Sequence, residues 1–210
     1  MNILIVGANG QIAREAIDLY LENTDFNLTL FLRNSSRLAS LESDRVKVVE
    51  GDVTNLSNLV EATKGMDVVY LNLAGPVEEG TKNAIAAMKE NGVDNVILIT
   101  TLGIYDEVPG EFGVWNNANI GPYFGPYRAA ADALEASGLS YTVLRPAWLT
   151  NKDEIDYETT EKNEPFKGTE VSRKSVADLV VKASQDRAKY HNKNLGVDKP
   201  GTDGPKPSWY

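Results

Sequence analysis

The chain has 210 residues, no cysteine, a single histidine and a formal net charge of -9. The lack of cysteine excludes disulfides, a thiol nucleophile and a thiolate metal site, and His191 alone cannot form a histidine cluster, so we expect no metal centre. The negative charge repels phosphate backbones and disfavours nucleic acid as a partner.

The chain shows no apolar run of about 18 residues and no pattern of a secretory signal, so we expect no membrane span and a cytoplasmic location. Short β-branched segments alternate with helical patterns, which is typical of repeated β-α units. The predicted strands are Asn2–Val6, Asn27–Leu32, Val46–Glu50, Asp67–Leu71, Asn95–Thr100 and Tyr141–Leu144. The predicted helices are Gln11–Leu21, Asn55–Lys64, Gly80–Asn91, Pro126–Ser137 and Ser172–Ser184. This predicts an α/β fold of Rossmann type: a doubly wound, mostly parallel sheet in a single domain.

The first predicted strand runs directly into the glycine-rich turn GANGQIA, and a helical pattern follows it. Strand, turn and helix in this order are the context of a dinucleotide-binding fingerprint, although the spacing is G-x-x-G-x-x-A. Gly7 permits a tight turn, Gly10 lets the backbone approach a pyrophosphate, and small Ala13 lets helix and strand pack closely. The predicted contacts of this turn with a dinucleotide are Gly7, Asn9, Gly10, Gln11 and Ile12.

The second predicted strand ends in the basic segment Arg33-Asn34-Ser35-Ser36-Arg37. Proteins that select NAD carry an acidic residue at this place, and the acid is absent here. Guanidinium groups form a fork of charged donors that matches a phosphate, so the segment favours NADP(H) over NAD(H). The predicted 2′-phosphate contacts are Arg33, Asn34, Ser36 and Arg37; two solvated arginines near a helix start are the alternative.

Two further turns follow the third and fourth predicted strands. Asp52, next to Val53, either accepts a hydrogen bond from the adenine amino group or caps the helix that starts near Asn55. The small residues in Asn72-Leu73-Ala74-Gly75 either let the backbone approach the ribose near the nicotinamide or form only a tight turn.

The segment Gly103–Tyr123 is rich in Gly, Asn, Pro and aromatic residues without clear periodicity, and we expect a functional loop beyond the fifth strand. Trp115, Tyr123 and Trp148 offer flat apolar walls for a planar molecule, although core packing explains Trp148 equally well. The predicted substrate region therefore comprises residues 103–125 and 147–170.

The remaining segments carry no predicted chemistry. The acidic stretch Asp153–Glu164 is expected to be a solvated loop, and Val197–Tyr210 a surface coil. His191 is expected to lie on the surface without a catalytic role.

Taken together, these residues resemble the atypical short-chain dehydrogenase/reductase group, in the NAD(P)H-binding branch of the NmrA-like proteins and biliverdin-IXβ (flavin) reductase. The resemblance covers most of the chain and rests on GANGQIA, LFLRNSSRL, GDVTN, NAIAAMKENGVDNVILIT, ASGLSYTVLRP and VSRKSVADLV. It implies a nicotinamide cofactor with a substrate pocket over the nicotinamide. It also implies cofactor contacts for Arg33, Asp52, Val53, Leu73, Ala74, Gly75, Thr100 and Thr101, to which we add Pro146 at the end of LRP.

The chain departs from the group in its catalytic residues. Short-chain dehydrogenases typically use Tyr-x-x-x-Lys, whereas Tyr123 is followed at the lysine position by Tyr127, and Tyr127 by Ala131. An unassisted tyrosine titrates near about 10 and is a weak acid at neutral pH unless a charge such as that of Arg128 shifts it. The catalytic candidates are therefore Thr101, Tyr123 and Tyr127.

The function expected from the sequence is an NADPH-dependent oxidoreductase that transfers hydride to a small conjugated or carbonyl acceptor of flavin or quinone type. Such chemistry can rely on orientation, with the proton taken from solvent. The alternative is a non-catalytic NADP(H)-binding regulatory protein of NmrA type. A sugar-nucleotide epimerase or dehydratase is a distant third, because it usually needs the missing tyrosine pair and a larger substrate domain. The expected partner is a small-molecule acceptor, and the oligomeric state stays open.

Overall fold

A central sheet of eight strands organises the computed structural model, which describes residues 1–210. The strands of the sheet are β1 (Asn2–Val6), β2 (Asn27–Leu32), β3 (Val46–Glu50), β4 (Val68–Leu71), β5 (Asn95–Ile99), β6 (Ser140–Pro146), β8 (Glu158–Thr160) and β10 (Lys193–Asp198). A separate parallel pair consists of β7 (Trp148–Thr150) and β9 (Glu170–Ser172). The helices are α1 (Gln11–Asn23), α2 (Leu56–Thr63), α3 (Val77–Asn91), α4 (Gly110–Ile120), α5 (Phe124–Glu135), α6 (Arg173–Gln185) and α7 (Arg187–Tyr190).

The order of the strands is β3-β2-β1-β4-β5-β6-β10-β8, and every pair is parallel except β10 with β8. The chain winds outward from β1 in both directions, so the strand order reverses between β1 and β4. Ligands of open α/β sheets bind beyond the carboxyl ends of the strands at such a switch point. The predicted Rossmann-type, doubly wound, single-domain fold is confirmed.

Both faces of the sheet are covered, because alternate residues of each buried strand point to opposite sides. Ile3 and Ile5 pack with α1 and α6, whereas Leu4 and Val6 pack with α2, α3 and α5. A strand buried on both faces reads as a continuous apolar run, which is why ILIV and its equivalents predict the strands correctly. The predicted bounds of these strands and of five helices agree with the structure within a few residues.

Three predictions about the rest of the chain are wrong or only partly right. Residues 110–120, expected to be a loop, form α4, and the unpredicted strand β10 includes Val197 and Asp198 from the expected surface coil. The acidic stretch includes β8, and four of its carboxylates pair with lysines at 2.5–2.7 Å instead of being only solvated. His191 is exposed as expected.

None of the helices combines the length with the apolar character that a membrane span requires.

Candidate cofactor and acceptor site

The turn after β1 has the geometry of a phosphate cradle. Gly7 has a φ of +80°, and a Cβ built on it would lie 2.2 Å from the carbonyl oxygen of Asn72. A Cβ on Gly10 would lie 2.1 Å from Asn72 Nδ2 and would displace that side chain, whereas the backbone contact at Gly7 leaves room only for glycine. Gly10 caps α1, and no side chain hydrogen-bonds to the first amides of this helix. These amides are therefore free for an anion, which fits the pyrophosphate of a dinucleotide.

A cleft of about 480 Å³ extends from this turn across the carboxyl ends of β2, β3 and β4. Of the predicted cofactor residues, it brings together Gly7, Asn9, Gly10, Arg33, Asn34, Arg37, Asp52, Val53, Leu73 and Ala74. Gly75 lines an adjoining cavity of about 500 Å³ at the start of α3. Sequence reasoning missed Phe31, Leu32, Gly51, Asn72 and Pro76, which also line the cleft. The missed signal for Asn72 is its place directly after β4, at the switch point.

The other predicted cofactor residues lie outside the lining of this cleft. Gln11 is exposed on α1, Ile12 is buried in the core, and Ser36 is exposed beside Asn34. The Thr100 hydroxyl donates to the carbonyl oxygen of Leu144 at 3.1 Å, so it already has a partner inside the protein. Pro146 is buried at the end of β6, where its carbonyl accepts from the Leu102 amide.

The basic segment after β2 lines the cleft with its two arginines, and its two serine hydroxyl groups are hydrogen-bonded within the protein. Arg33 and Arg37 are both exposed and line the cleft. The Ser35 amide and hydroxyl both donate to Glu50, at 3.0 and 2.8 Å, and these hydrogen bonds lower the pKa of that carboxylate. The Ser36 hydroxyl donates to Asn34 Oδ1 at 2.6 Å. A phosphate bound here would therefore be held by two guanidinium groups, because the hydroxyls already have acceptors.

Asp52 does not cap α2, which was one of its two expected roles, but holds the turn after β3. Its Oδ1 accepts from the amide and the hydroxyl of Thr54, at 2.9 and 2.8 Å, and these hydrogen bonds lower the pKa of its carboxylate. The cap of α2 is instead Asn55, which accepts from the Ser57 amide. Asp52 thus fixes the turn after β3 and lines the cleft there.

The tyrosine candidates have no cationic assistance. Tyr127 Oη lies 3.5 Å from the carbonyl oxygen of Leu73, and burial raises the pKa of this phenol. Arg128 is directed elsewhere, because its Nε donates to Asp132 at 2.8 Å and its Nη1 to the Ile104 carbonyl. Tyr123 is 65% exposed, and Thr101 is half-buried after β5.

Four aromatic residues meet beyond the ends of β5 and β6. The ring of Trp115 on α4 lies 4.8 Å from that of Trp148, and Phe112 stacks on Trp115 at 6.2 Å. Tyr210 meets the two indole rings edge-on, at 5.0 and 5.4 Å, while remaining more than half exposed. The structure therefore brings the predicted Trp115 and Trp148 together, and adds a tail residue that no local pattern places there.

A buried ion pair anchors the turn after β5. Arg145 and Glu107 are almost fully buried and hydrogen-bonded to one another. Glu107 also accepts from the amides of Gly103 and Tyr105, at 3.0 and 2.9 Å. Arg145 Nε donates to Asn194 on β10 at 2.8 Å. This network joins the chain after β5 to β6 and β10, and it holds the loop that leads into α4.

Comparison with known proteins identifies the family of the chain. The model of the NAD(P)H-binding family matches residues 7–187. A Rossmann-fold NAD(P)-binding family protein from Shigella flexneri is 43% identical, with coverage of 98% of this chain and 97% of that one and a TM-score of 0.85. A short-chain dehydrogenase/reductase from Veillonella parvula, solved in complex with NADP, is 30% identical, with 99% and 98% coverage and a TM-score of 0.92. The Bacillus subtilis protein named uncharacterized sugar epimerase YhfK is 27% identical over 96% of each chain. The chain therefore belongs to the NAD(P)H-binding family, within the atypical short-chain dehydrogenase/reductase group.

Proposed function

We propose that the protein is an NADPH-dependent reductase of small conjugated or carbonyl acceptors, of flavin or quinone type. The observation that carries the proposal is the cleft with its glycine cradle at the switch point. A separate cluster of aromatic rings lies beyond β5 and β6, outside the lining of this cleft. The cofactor, when bound, supplies a hydride from its nicotinamide ring. The residues of the protein hold the cofactor and orient a flat acceptor.

The preference for NADPH over NADH is supported by charge at one end of the cleft. Arg33 and Arg37 line it beyond β2, where a carboxylate would otherwise accept from the ribose hydroxyls. The Veillonella parvula relative was solved with NADP. Two guanidinium groups give a 2′-phosphate charge-assisted hydrogen bonds that NADH lacks.

The proposed reaction takes its proton from water. No tyrosine of the chain is followed by lysine at the fourth position, and burial raises the pKa of Tyr127. A phenol with a raised pKa is a poor acid at neutral pH. Tyr127 therefore serves the site by contacting the turn after β4, and orientation of the acceptor provides the catalysis.

Turnover is tested by following NADPH oxidation with a panel of flavins, quinones, dicarbonyls and simple ketones. We expect oxidation above the enzyme-free blank with at least one flavin or quinone. Tight NADPH binding without oxidation of NADPH by any acceptor would contradict the proposal.

Cofactor choice is tested by Arg33→Asp. We expect the Kd for NADPH to rise about 10- to 100-fold, which corresponds to one lost charge-assisted hydrogen bond, and the Kd for NADH to change less than about 3-fold. Arg187→Asp is the matched control, because Arg187 is exposed near Asn95 and Ser140, at the amino ends of β5 and β6 and away from the cleft at the carboxyl ends. Equal losses for both cofactors in Arg33→Asp would refute the 2′-phosphate assignment.

A non-catalytic NADP(H)-binding regulator is the second candidate, and the missing tyrosine–lysine pair favours it. It predicts tight cofactor binding without turnover and a protein partner whose capture depends on the cofactor. The name of the Bacillus subtilis relative points to sugar epimerisation. That chemistry usually needs the tyrosine pair that this chain lacks, so we do not propose it.

A further inference from the structure

The end of β4 carries a buried hydroxyl group next to the phosphate cradle. Tyr70 is 0% exposed and lies in the apolar cluster that includes Ile3 and Ile5. Its hydroxyl has one hydrogen-bond partner, Asn72 Oδ1, at 3.3 Å. Burial raises the pKa of this phenol well above its usual range, so the hydroxyl stays a neutral donor. Phenylalanine would fill the same place in the core without a polar atom, so the hydroxyl calls for a reason.

The orientation of the Asn72 amide follows from its two partners. Tyr70 and Asn72 are two residues apart, so their side chains emerge on the same face at the end of β4. Asn72 Nδ2 donates to the carbonyl oxygen of Gly7 at 3.5 Å. A carbonyl oxygen only accepts, so Nδ2 must face the glycine turn and Oδ1 must face Tyr70. The amide is therefore held between a donor in the core and an acceptor in the cradle.

The nitrogen of this amide lies against the cradle. Asn72 is half-buried and lines the cofactor cleft. A Cβ on Gly10 would lie 2.1 Å from Asn72 Nδ2, and Gly10 directly precedes the free amides of α1. Nδ2 carries two hydrogens, and the protein gives it one acceptor, the carbonyl oxygen of Gly7. The second hydrogen is therefore available to an anion bound at this turn.

We propose that Tyr70 is a positioning residue of the cofactor site, whose hydroxyl holds the Asn72 amide so that Nδ2 donates to the pyrophosphate of NADP(H). Tyr70 does not touch the cofactor, because it is fully buried. Without the hydroxyl, Oδ1 loses its donor, and an amide turned the other way would face the phosphate with an acceptor instead of a donor. The inference rests on the cofactor site of the proposed function, and it concerns the pyrophosphate and not the 2′-phosphate.

Two ligands separate an effect on the pyrophosphate from an effect on the rest of the cleft. NADP⁺ contains the pyrophosphate, whereas adenosine 2′-monophosphate keeps the base, the ribose and the 2′-phosphate and lacks it. Titration calorimetry measures both affinities without turnover. We expect Tyr70→Phe to raise the Kd for NADP⁺ about 5-fold, as the loss of one neutral hydrogen bond does. The Kd for adenosine 2′-monophosphate should change less than about 2-fold.

Tyr20→Phe is the matched control. Tyr20 is also 0% exposed and lies in the same apolar cluster, but its hydroxyl is hydrogen-bonded to Ser184 on α6. The control therefore loses the same atom from the same core, and it should bind both ligands like the native chain. Equal losses of NADP⁺ affinity in the two variants would overturn the assignment, because they would reflect packing of the core.

A double-mutant cycle tests whether Tyr70 acts through Asn72. Asn72→Ala should raise the Kd for NADP⁺ about 5- to 10-fold, and in that background Tyr70→Phe should change it less than about 2-fold. A packing defect at Tyr70 would persist without the amide, so an undiminished effect of Tyr70→Phe in this background would overturn the inference. Asn72→Ser takes the place of an alanine variant that does not fold, because serine also lacks the amide.

Two further results would contradict the inference. One is an unchanged Kd for NADP⁺ in Tyr70→Phe, and the other is an equal loss of affinity for NADP⁺ and adenosine 2′-monophosphate in that variant. A native chain that binds no NADP⁺ would overturn the cofactor site of the proposed function together with this inference. Because binding is measured, failure of turnover with every acceptor would refute the proposed reaction alone.

Discussion

Asp198 on β10 is a buried carboxylate whose replacement should stabilise the protein at neutral pH. It is 0% exposed, its Oδ2 accepts from the Gly168 amide at 2.8 Å, and its Oδ1 has no partner. Burial raises the pKa of this carboxyl from 3.8 to about 6. The charged groups nearest to it are Glu158 and Asp203, which also raise the pKa, and Lys167, which lowers it.

The sign and size of the effect follow from linkage between protonation and folding. Because the pKa of Asp198 is higher in the folded state, the protonated carboxyl makes its full contribution to stability below pH 3.8. That contribution is lost as the pH rises through about 6 and the buried carboxyl ionises. A difference of about two pH units, at about 1.4 kcal/mol each, gives a cost near 3 kcal/mol at neutral pH. About 1 kcal/mol of this cost is already present at about pH 4.5.

Asp198→Asn removes the titration and keeps an oxygen for the Gly168 amide. We expect its free energy of unfolding in urea to exceed that of the native chain by about 1–3 kcal/mol at about pH 7.5. This advantage should shrink by about 2 kcal/mol at about pH 4.5. Asp18→Asn, the same substitution at an exposed position on α1, is the control and should change the free energy of unfolding by less than about 0.5 kcal/mol. A constant difference between the Asp198 variant and the native chain across this pH range would refute the reasoning.

Two further predictions concern the ion pair and the cradle. Arg145→Met leaves the Glu107 carboxylate buried without its cation, and urea unfolding should show a loss of about 3–5 kcal/mol; a loss below about 1 kcal/mol would contradict this account. Gly10→Ala forces the side chain of Asn72 out of its place under the phosphate cradle. The Kd for NADPH should rise at least about 10-fold, while stability falls by less than about 1 kcal/mol; an unchanged Kd would argue against the cradle.

The parts of the fold that local sequence determines were predictable. Residues of ILIV bury both faces of β1, so they read as one apolar run, and a Cβ at Gly7 or Gly10 would overlap Asn72. The pyrophosphate cradle is made of backbone from a single short segment. Its geometry is therefore visible in the order of residues alone.

α4 and β10 were not predictable, for different reasons. α4 reads GEFGVWNNANI, in which glycine and asparagine disfavour a helix and the buried positions include Gly113 and Asn116 instead of an apolar stripe. In β10, Asn194 and Asp198 are buried polar residues, which hide the strand from an apolar pattern. Both elements depend on partners far away in sequence, such as Arg145 for Asn194.

Under the proposed function, the positions of the charges also restrict which acceptors the site would reduce. Arg128 is held by Asp132 and Ile104, so nothing lowers the raised pKa of Tyr127. Reduction of a simple ketone creates an alkoxide, a strong base that needs an acid in the same step. A reduced quinone or flavin delocalises its negative charge, so water can protonate it in a later step. We therefore expect the protein to reduce quinones and flavins and not simple ketones. Faster reduction of simple ketones than of quinones would require an acid that this arrangement does not contain.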